Sequence, residues 1–378
     1  MVALLSPGQG SQHAGMLTPW LTLPGADDTV ARWSELADLD LLAAGTTWTD
    51  DAIRDTSVAQ PLLTATALLS ARALLGEQLP DAVCGHSIGE LPALAVAGVL
   101  TDDEAVSLAA LRGRAMAAAT RLTPTGMAAV LGGDPGEVQA AAEGLGLEVA
   151  TVNVAGQVVL GGPASALETL AAAPPAGARV RRLDVAGAFH TSAMSPAREG
   201  FDAALDALTA RAPRTTVIAN RDGAVVTDGA ALLRRLGDQL THAVRFDLCL
   251  ATLSTLGVGG VIELAPGGTL TGLAKRALPG VELVALRTPD DLAVARALLP
   301  QPGEHLPVGW RALPSPDSGI VDPLLALGDA VDVGTPIAVV SGRAGASTVV
   351  APARGTLTEW LVTAGDPVRA GQLLAVVS

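Results

Sequence analysis

A serine with a glycine two residues away on each side is the feature of this sequence that most directly suggests chemistry. Gly85-His86-Ser87-Ile88-Gly89 follows a short apolar run and precedes a helix-like run. In such a nucleophile elbow, the glycines permit a crowded strand-to-helix turn that presents the serine hydroxyl. The N–H group after the serine is left available to an oxyanion. The motif therefore predicts nucleophilic catalysis by Ser87.

A second glycine-containing segment, Ser6-Pro7-Gly8-Gln9-Gly10-Ser11-Gln12, directly follows the first predicted strand. Its two glycines would let the backbone approach a ligand closely. Because no Gly-Lys-Ser/Thr sequence follows, the segment is not a phosphate-binding loop. An ordinary strand-to-loop turn is the alternative interpretation.

Elements that could position these residues alternate between strand-like and Ala/Leu-rich helical runs from Met1 to about Pro300. This alternation is typical of an α/β domain with a mainly parallel sheet, here an α/β-hydrolase-like core. A capping box at Thr101–Glu104 opens a helix that carries Arg112 and Met116. The predicted strands are Val2–Leu5, Ala82–Cys84, Thr216–Asn220 and Gly260–Leu264.

The rhythm changes to strand, helix, strand, strand, helix, strand between about Thr123 and Asp184, which predicts an inserted ferredoxin-like subdomain. Its predicted elements are Met127–Gly132, Pro135–Gly144, Glu148–Val154, Gln157–Gly161, Pro163–Ala172 and Ala178–Val185. A Pro- and Gly-rich stretch after Pro300 then indicates a linker. We expect the core at 1–122 and 186–298, the subdomain at 123–185, the linker at 299–313 and a last domain at 314–378.

The last domain contains an internal repeat. Pro316-x-x-Gly319 recurs as Pro352-x-x-Gly355, Gly328-Asp329 recurs as Gly365-Asp366, and Gly334 recurs as Gly371. Each half ends in an apolar strand, Ile337–Val340 or Leu373–Val377. Two such half-motifs with Gly-Asp turns predict a small all-β barrel with pseudo-two-fold symmetry.

Composition excludes several classes of protein. With 378 residues, 49% hydrophobic and 16% charged, the chain is expected to fold into two or three units rather than to be disordered. A net charge of −14 argues against nucleic acid as a partner. The sequence contains neither a long uncharged apolar run nor a basic leader, so we expect a cytoplasmic protein without a membrane span. Cys84 and Cys249 lie in apolar runs and are expected to be buried thiols.

Taken together, the elbow and the N-terminal segment resemble the malonyl-CoA:acyl carrier protein transacylases, whose motifs are P-G-Q-G-S-Q and G-H-S-x-G-E. Ser6 stands where the family usually has Phe. Further matches follow in order at Leu111–Met116, Gly126–Ala129, Asn153–Val159, Ala188–His190, Gln239–Leu240 and Ala265–Leu273.

The resemblance implies a catalytic dyad rather than a triad. Ser87 would carry the acyl group as an ester, His190 would act as the base, and the main-chain carbonyl of Gln239 would orient His190. An ordinary hydrolase would instead place a carboxylate between serine and histidine in chain order, and Asp184 could be proposed for that role.

Substrate contacts are implied by the same resemblance. The N–H groups of Gln12 and Ile88 would form the oxyanion hole, and Arg112 would bind the free carboxylate of malonate. In related polyketide synthase domains, Phe before the histidine and Ile after the serine accompany malonyl, which Phe189 and Ile88 match. Asn153 and Gln157 could contact the ligand or be polar turn residues. The residues expected in the substrate cleft are Gln9, Met116, Asn153, Gln157 and Phe189.

The implied activity is transfer of malonyl from malonyl-CoA to acyl carrier protein, with no metal or other cofactor. Arg179, Arg181 and Arg182 form a candidate basic patch for the acidic carrier, although a solvated strand end would look the same. A thioester hydrolase with the same dyad and a non-catalytic scaffold remain as alternatives.

The C-terminal repeat resembles biotinyl and lipoyl carrier domains, which bear their cofactor on a lysine between the two halves. The corresponding segment, Ser341–Thr348, contains no lysine, and the only lysine of the chain is Lys275. We therefore expect no covalent biotin or lipoate. A docking role, or packing against the transacylase, is left for this domain.

Overall fold

The computed structural model describes residues 1–76, 78–299, 311–342, 345–369 and 372–378. The first 122 residues supply half of an α/β core. Among their helices, the one at Thr56–Leu75 is long and apolar enough to cross a membrane, but 89% of its apolar window is buried inside the protein. It is thus the central core helix of this unit. The elements are β1 (Val2–Ser6), α1 (Ala26–Ala37), α2 (Leu41–Thr46), α3 (Thr56–Leu75), β2 (Ala82–Gly85), α4 (Glu90–Val96) and α5 (Asp102–Thr120).

The predicted capping box at the start of α5 is confirmed. Thr101 accepts a hydrogen bond from the N–H of Glu104, and the Glu104 carboxylate accepts one from the N–H of Thr101. These two bonds satisfy N–H groups that the first turn of a helix leaves without partners. The cap fixes where the helix begins and therefore which face carries Arg112.

The predicted order of elements in the insertion is also confirmed, although its last strand ends at Arg182 rather than Val185. Its four strands lie in the order β6-β3-β5-β4, each antiparallel to its neighbour. Asp134 caps the first helix by accepting hydrogen bonds from two N–H groups. The elements are β3 (Thr125–Gly132), α6 (Pro135–Gly144), β4 (Glu148–Val154), β5 (Gln157–Pro163), α7 (Ala164–Ala172) and β6 (Ala178–Arg182).

After the insertion the chain returns to the core. The new elements are α8 (Arg198–Asp206), β7 (Thr216–Ile218), β8 (Val225–Val226), α9 (Gly229–Gln239), β9 (Val244–Arg245), α10 (Phe246–Thr255), β10 (Gly260–Glu263), α11 (Thr269–Ala277), β11 (Glu282–Ala285) and α12 (Leu292–Leu298). The core sheet has the order β11-β10-β1-β2-β7-β8 and is parallel except for the β7–β8 pair. The mainly parallel sheet predicted from the sequence is therefore confirmed.

Packing explains why these strands are apolar on both faces. Leu4 and Val83 belong to one buried cluster, whereas Leu5 and Cys84 belong to another on the opposite face. A parallel sheet covered by helices on both sides favours such continuous apolar runs. Cys84 and Cys249 are buried free thiols, as expected. The carboxyl ends of β1, β2 and β7 meet at one edge of the sheet, where the Ser87 turn begins.

The C-terminal region forms two four-stranded antiparallel sheets, β12-β19-β17-β14 and β16-β15-β13-β18. Val321, Val340 and Leu357 are among the residues of its common core. The strands are β12 (Arg311–Pro314), β13 (Gly319–Pro323), β14 (Ala330–Val331), β15 (Pro336–Gly342), β16 (Gly345–Val350), β17 (Gly355–Trp360), β18 (Pro367–Val368) and β19 (Leu373–Val377).

The predicted repeat is visible in two equivalent turns. Gly328 and Gly365 have φ angles of 93° and 89°. The carboxylates that follow them, Asp329 and Asp366, each accept a hydrogen bond of 2.8 Å from the N–H three residues earlier. The repeat therefore conserves a turn as well as a sequence. Gly371, Arg343, Ala344 and most of the predicted linker, 300–310, lie outside the described residues.

Candidate active site

The turn that carries Ser87 is crowded on both sides. A Cβ atom on Gly85 would lie 2.0 Å from the carbonyl of Gly89, and one on Gly89 would lie 2.2 Å from the carbonyl oxygen of Ser6. Both glycines are therefore required by close backbone packing. The left-handed conformation falls on the serine itself, with φ of 55°. Such strain in a non-glycine residue is sustained only where the surrounding structure enforces it.

The predicted dyad residues lie together at this turn. The Oγ atom of Ser87 is 2.7 Å from Nε2 of His190, and Nδ1 of His190 is 2.8 Å from the main-chain oxygen of Gln239. Because a carbonyl oxygen can only accept, Nδ1 carries the imidazole proton. Nε2 is then free to accept the serine proton, which is the tautomer that a general base requires.

The alternative carboxylate, Asp184, is not part of this arrangement. Its side chain is 82% exposed and forms an ion pair with Arg54 at 2.7 Å. Because Nδ1 of His190 is already bonded to Gln239, no position remains there for a carboxylate. The geometry is that of a serine–histidine dyad.

Burial lowers the pKa of the catalytic base candidate, His190. Desolvation of His190, together with the nearby charge of Arg112, lowers the pKa of the imidazole to about 3. The ring is consequently neutral at neutral pH and able to accept a proton. His190 also has a left-handed backbone, with φ of 61°.

Arg112 is a buried cation whose partners are neutral. It is 1% exposed, and its guanidinium donates to the side-chain oxygens of Gln60 at 2.8 Å and Gln239 at 2.7 Å. It also lies 3.3 Å from Oγ of Ser87. Burial lowers the pKa of Arg112 to about 10, which leaves it charged at neutral pH. Among the described residues, no carboxylate forms an ion pair with it.

Asn220 is a site residue that the sequence did not reveal. Its Oδ1 accepts from the N–H of Ser87 at 2.8 Å, and its Nδ2 donates to the carbonyl of Gly85. Its own N–H donates to the Glu90 carboxylate at 2.6 Å. Asn220 follows the strand adjacent to β2 and therefore braces both sides of the turn from outside. The feature of the sequence that could have identified Asn220 is its position at the end of a predicted strand.

A cleft of about 620 Å³ opens in front of Ser87 between the core and the insertion. The predicted cleft residues Gln9, Met116, Asn153, Gln157 and Phe189 all line it, as does Gln12. Ile88, Arg112 and Gln239 are buried, at 1%, 1% and 4% exposure. The cleft thus meets the site at Ser87 and His190.

Two predicted cleft residues tie the insertion to the core. Oδ1 of Asn153 is 2.8 Å from Nε2 of His86, the residue before the nucleophile. Oε1 of Gln157 accepts from the Arg276 guanidinium at 2.6 Å. Both side chains also line the cleft.

The N-terminal segment packs against the turn. A Cβ atom on Gly8 would lie 2.6 Å from the carbonyl oxygen of His86, so this glycine permits contact with protein backbone. Oε1 of Gln12 accepts from the N–H of Gly10 at 2.7 Å, a bond within the segment itself. Ile88 lies in the first turn of a helix, where N–H groups lack intrahelical partners.

The three arginines near the end of the insertion are exposed along β6. Arg182 lies 3.7 Å from Glu168 and donates to the carbonyl of Ala164. Arg179 and Arg181 lie on the same strand.

Comparison with known proteins gives one consistent picture. The model of the acyl transferase domain family matches residues 4–293. The malonyl CoA-acyl carrier protein transacylase of Mycobacterium bovis is 52% identical over 296 residues, covering 77% of this chain and 98% of that protein. The protein of the same name from Escherichia coli K12 is 34% identical over 305 residues, covering 78% of this chain and 99% of that protein.

Solved structures agree. A crystal structure of MCAT from Mycobacterium tuberculosis has a TM-score of 0.76 and 51% identity, covering 78% of this chain and 99% of that one. A structure of a type II PKS acyl carrier protein in complex with its malonyl-transacylase has a TM-score of 0.73 and 29% identity. The match covers 78% of this chain and 99% of that one. The family match stops before the C-terminal β region.

Proposed function

This chain belongs to the acyl transferase domain family, and we propose from that premise that it transfers malonyl from malonyl-CoA to the phosphopantetheine thiol of acyl carrier protein. The reaction supplies malonyl units to fatty-acid or polyketide synthesis. Relatives that share a third to a half of their residues with this chain are named malonyl CoA-acyl carrier protein transacylase. One related structure is a complex of a malonyl-transacylase with its acyl carrier protein.

The observation that carries the choice of acyl group is the buried charge of Arg112. A cation that is 1% exposed and has only neutral hydrogen-bond partners is poorly compensated. Its guanidinium is 3.3 Å from the nucleophilic oxygen, so a carboxylate on a short acyl chain attached to Ser87 lies within its reach. An acetyl group would leave this charge without an anion, whereas malonyl supplies one.

The first half-reaction acylates the serine. Nε2 of His190 accepts the hydroxyl proton as Oγ of Ser87 attacks the thioester carbonyl carbon. The negative charge that develops on the carbonyl oxygen is stabilised by the N–H groups of Gln12 and Ile88. When the carbon–sulfur bond breaks, the coenzyme A thiolate takes the proton from His190, and malonyl remains as an ester.

The second half-reaction reverses these roles. His190 takes the proton of the carrier's phosphopantetheine thiol, whose sulfur attacks the ester carbonyl. The carbon–oxygen bond to Ser87 then breaks, and the serine oxygen recovers the proton from His190. The main-chain oxygen of Gln239 keeps the imidazole in one tautomer throughout. Because Phe189 and Ile88 are buried beside the cleft and the nucleophile, we infer that they disfavour an added α-methyl.

For the rest of the chain we propose an α/β-hydrolase-like core at 1–122 and 186–298 with a ferredoxin-like subdomain at 123–185. We further propose a biotinyl/lipoyl-like domain at 314–378 without a covalent cofactor, since its hairpin lacks lysine. Leu313, Pro314 and Val349 line a surface cleft shared with Thr255–Gly257, which supports packing against the core. The cytoplasmic location stays a prediction from the sequence.

The test is the intact mass of the protein after brief exposure to malonyl-CoA without acceptor. We expect a malonyl adduct on the native chain and none on Ser87→Ala, and much less adduct with acetyl-CoA. Addition of acyl carrier protein should discharge the adduct, whereas rapid discharge by water would indicate a hydrolase. Failure to form any adduct would leave a scaffold as the better explanation.

A further inference from the structure

The side chain of Glu90 is a buried charge next to the site that the transfer mechanism does not use. Glu90 is 7% exposed and begins α4, three residues after the nucleophile. Its Oε1 accepts from the N–H of Asn220 at 2.6 Å, and its Oε2 accepts from Nε2 of Gln239. Neither contact reaches the substrate cleft.

The contact with Glu90 contributes to the orientation of the Gln239 side-chain amide, whose Nε2 also donates to the main-chain oxygen of Ser87 at 3.1 Å and to Oδ1 of Asn220 at 3.3 Å. An amide has one accepting end and one donating end. An ionised carboxylate can only accept, so Glu90 draws the NH₂ group of Gln239 toward itself. The amide oxygen is then directed at Arg112, from which it accepts a hydrogen bond of 2.7 Å. The opposite orientation would set two acceptors against each other and an NH₂ group against a guanidinium.

We propose that Glu90 is a positioning residue for acyl selectivity, which acts through the Gln239 amide to hold Arg112 beside Ser87 in the orientation that receives an acyl carboxylate. The inference rests on the proposed function, because it requires Arg112 to bind the carboxylate of the substrate. Glu90 itself touches neither the substrate nor the reacting atoms.

The charges around Glu90 fit this role. Burial raises the pKa of Glu90 to about 7, while hydrogen bonds and the charges of Arg112 on α5 and Arg235 on α9 oppose the shift. A further titratable neighbour is the thiol of Cys249 on α10, whose pKa is raised, first by a hydrogen bond with Cys84, so that it stays neutral. Glu90 therefore ionises near neutral pH, and its hold on the amide strengthens as the pH rises through that range.

The experiment compares Glu90→Gln with wild type and with Glu104→Gln. Glutamine keeps the size of the side chain and one acceptor but removes the charge. Glu104 is the matched control, because it belongs to the cap of α5, the helix that also carries Arg112. Initial rates of Ser87 acylation by malonyl-CoA and by acetyl-CoA are measured separately by intact mass, without carrier protein.

We expect the malonyl-to-acetyl rate ratio to fall about tenfold in Glu90→Gln, the size of one charge-assisted hydrogen bond. The ratio in Glu104→Gln should equal that of wild type. A merely structural role would slow both acyl donors equally, so an unchanged ratio in a folded Glu90→Gln protein overturns the inference.

Wild-type protein supplies a second measurement that does not depend on folding of the variant. Its malonyl-to-acetyl ratio should rise between pH 6 and pH 8, and a flat ratio overturns the inference. A wild-type chain that gains no malonyl adduct at any pH overturns the proposed function as well. A wild-type chain that is malonylated, with the same ratio in Glu90→Gln, overturns the role of Glu90 alone.

Discussion

Replacement of Glu90 by glutamine should make the folded protein more stable, relative to wild type, at alkaline pH than at acidic pH. Burial raises the pKa of this carboxyl from its ordinary value of 4.5 to about 7. The folded state therefore binds a proton that the unfolded state releases, and folding loses stability as the pH rises from the unfolded to the folded pKa. The full difference corresponds to about 3 kcal/mol. Glutamine does not ionise and escapes this loss.

The measurement is urea unfolding followed by circular dichroism at pH 5.5, 7 and 8.5, above the sequence pI of about 4.7. Part of the loss is already present at pH 5.5, because the unfolded carboxyl is ionised there. We expect the free energy of unfolding of Glu90→Gln relative to wild type to increase by about 2 kcal/mol between pH 5.5 and 8.5.

Glu104→Gln again serves as the control. The ion pair with Arg211 lowers the pKa of Glu104 to about 2, so this carboxyl does not titrate above pH 5.5. Its unfolding free energy relative to wild type should stay constant over the series. A constant difference for Glu90→Gln as well would refute the conclusion that the site holds a destabilised carboxylate.

Three further substitutions, the last with a matched control, test other parts of the structure. Asp184→Asn should leave Ser87-dependent malonylation unchanged, because the side chain is 82% exposed; a large loss would reinstate a triad. Glu263→Gln should lower the free energy of unfolding, measured by urea titration, by about 2 kcal/mol, because this buried carboxylate accepts three backbone N–H bonds at the start of α11. An unchanged free energy of unfolding would show that these bonds do not stabilise the fold. Gly89→Ala should abolish malonylation, because its Cβ would lie 2.2 Å from the oxygen of Ser6, whereas Gly144→Ala, in open space, should be active and folded.

Much of the fold could be predicted because it depends on local signals. The strand and helix periods located the elements of the insertion to within a few residues, and the capping box located the start of α5. The Gly-Asp repeat indicated equivalent turns in the C-terminal region, and both turns form the same side-chain to backbone bond. Each of these signals lies within a few residues of the structure it determines.

Contacts between distant segments could not be predicted in the same way. Asn220 lies 133 residues from the serine whose N–H it binds, and only the order of strands in the sheet brings them together. The predicted strand reached Asn220, but the structure ends it at Ile218, which frees the asparagine to brace the turn. The orienting carbonyl of Gln239 followed from the family resemblance alone, because a main-chain acceptor leaves no trace in residue type.

The site concentrates features that are individually unfavourable for folding. Ser87 and His190 have left-handed backbones, Arg112 is a buried cation with neutral partners, and Glu90 is a carboxylate that burial disfavours. Such features persist only where rigid surroundings enforce them. Here the surroundings are the buried strands of a parallel sheet, whose carboxyl ends supply the turn and its braces. Because the opposite charges of Glu90 and Arg112 attract and so oppose each other's pKa shift, removal of either charge leaves the other less compensated. Selectivity for an acyl carboxylate and reduced stability near neutral pH are therefore expected to be two consequences of the same buried charges.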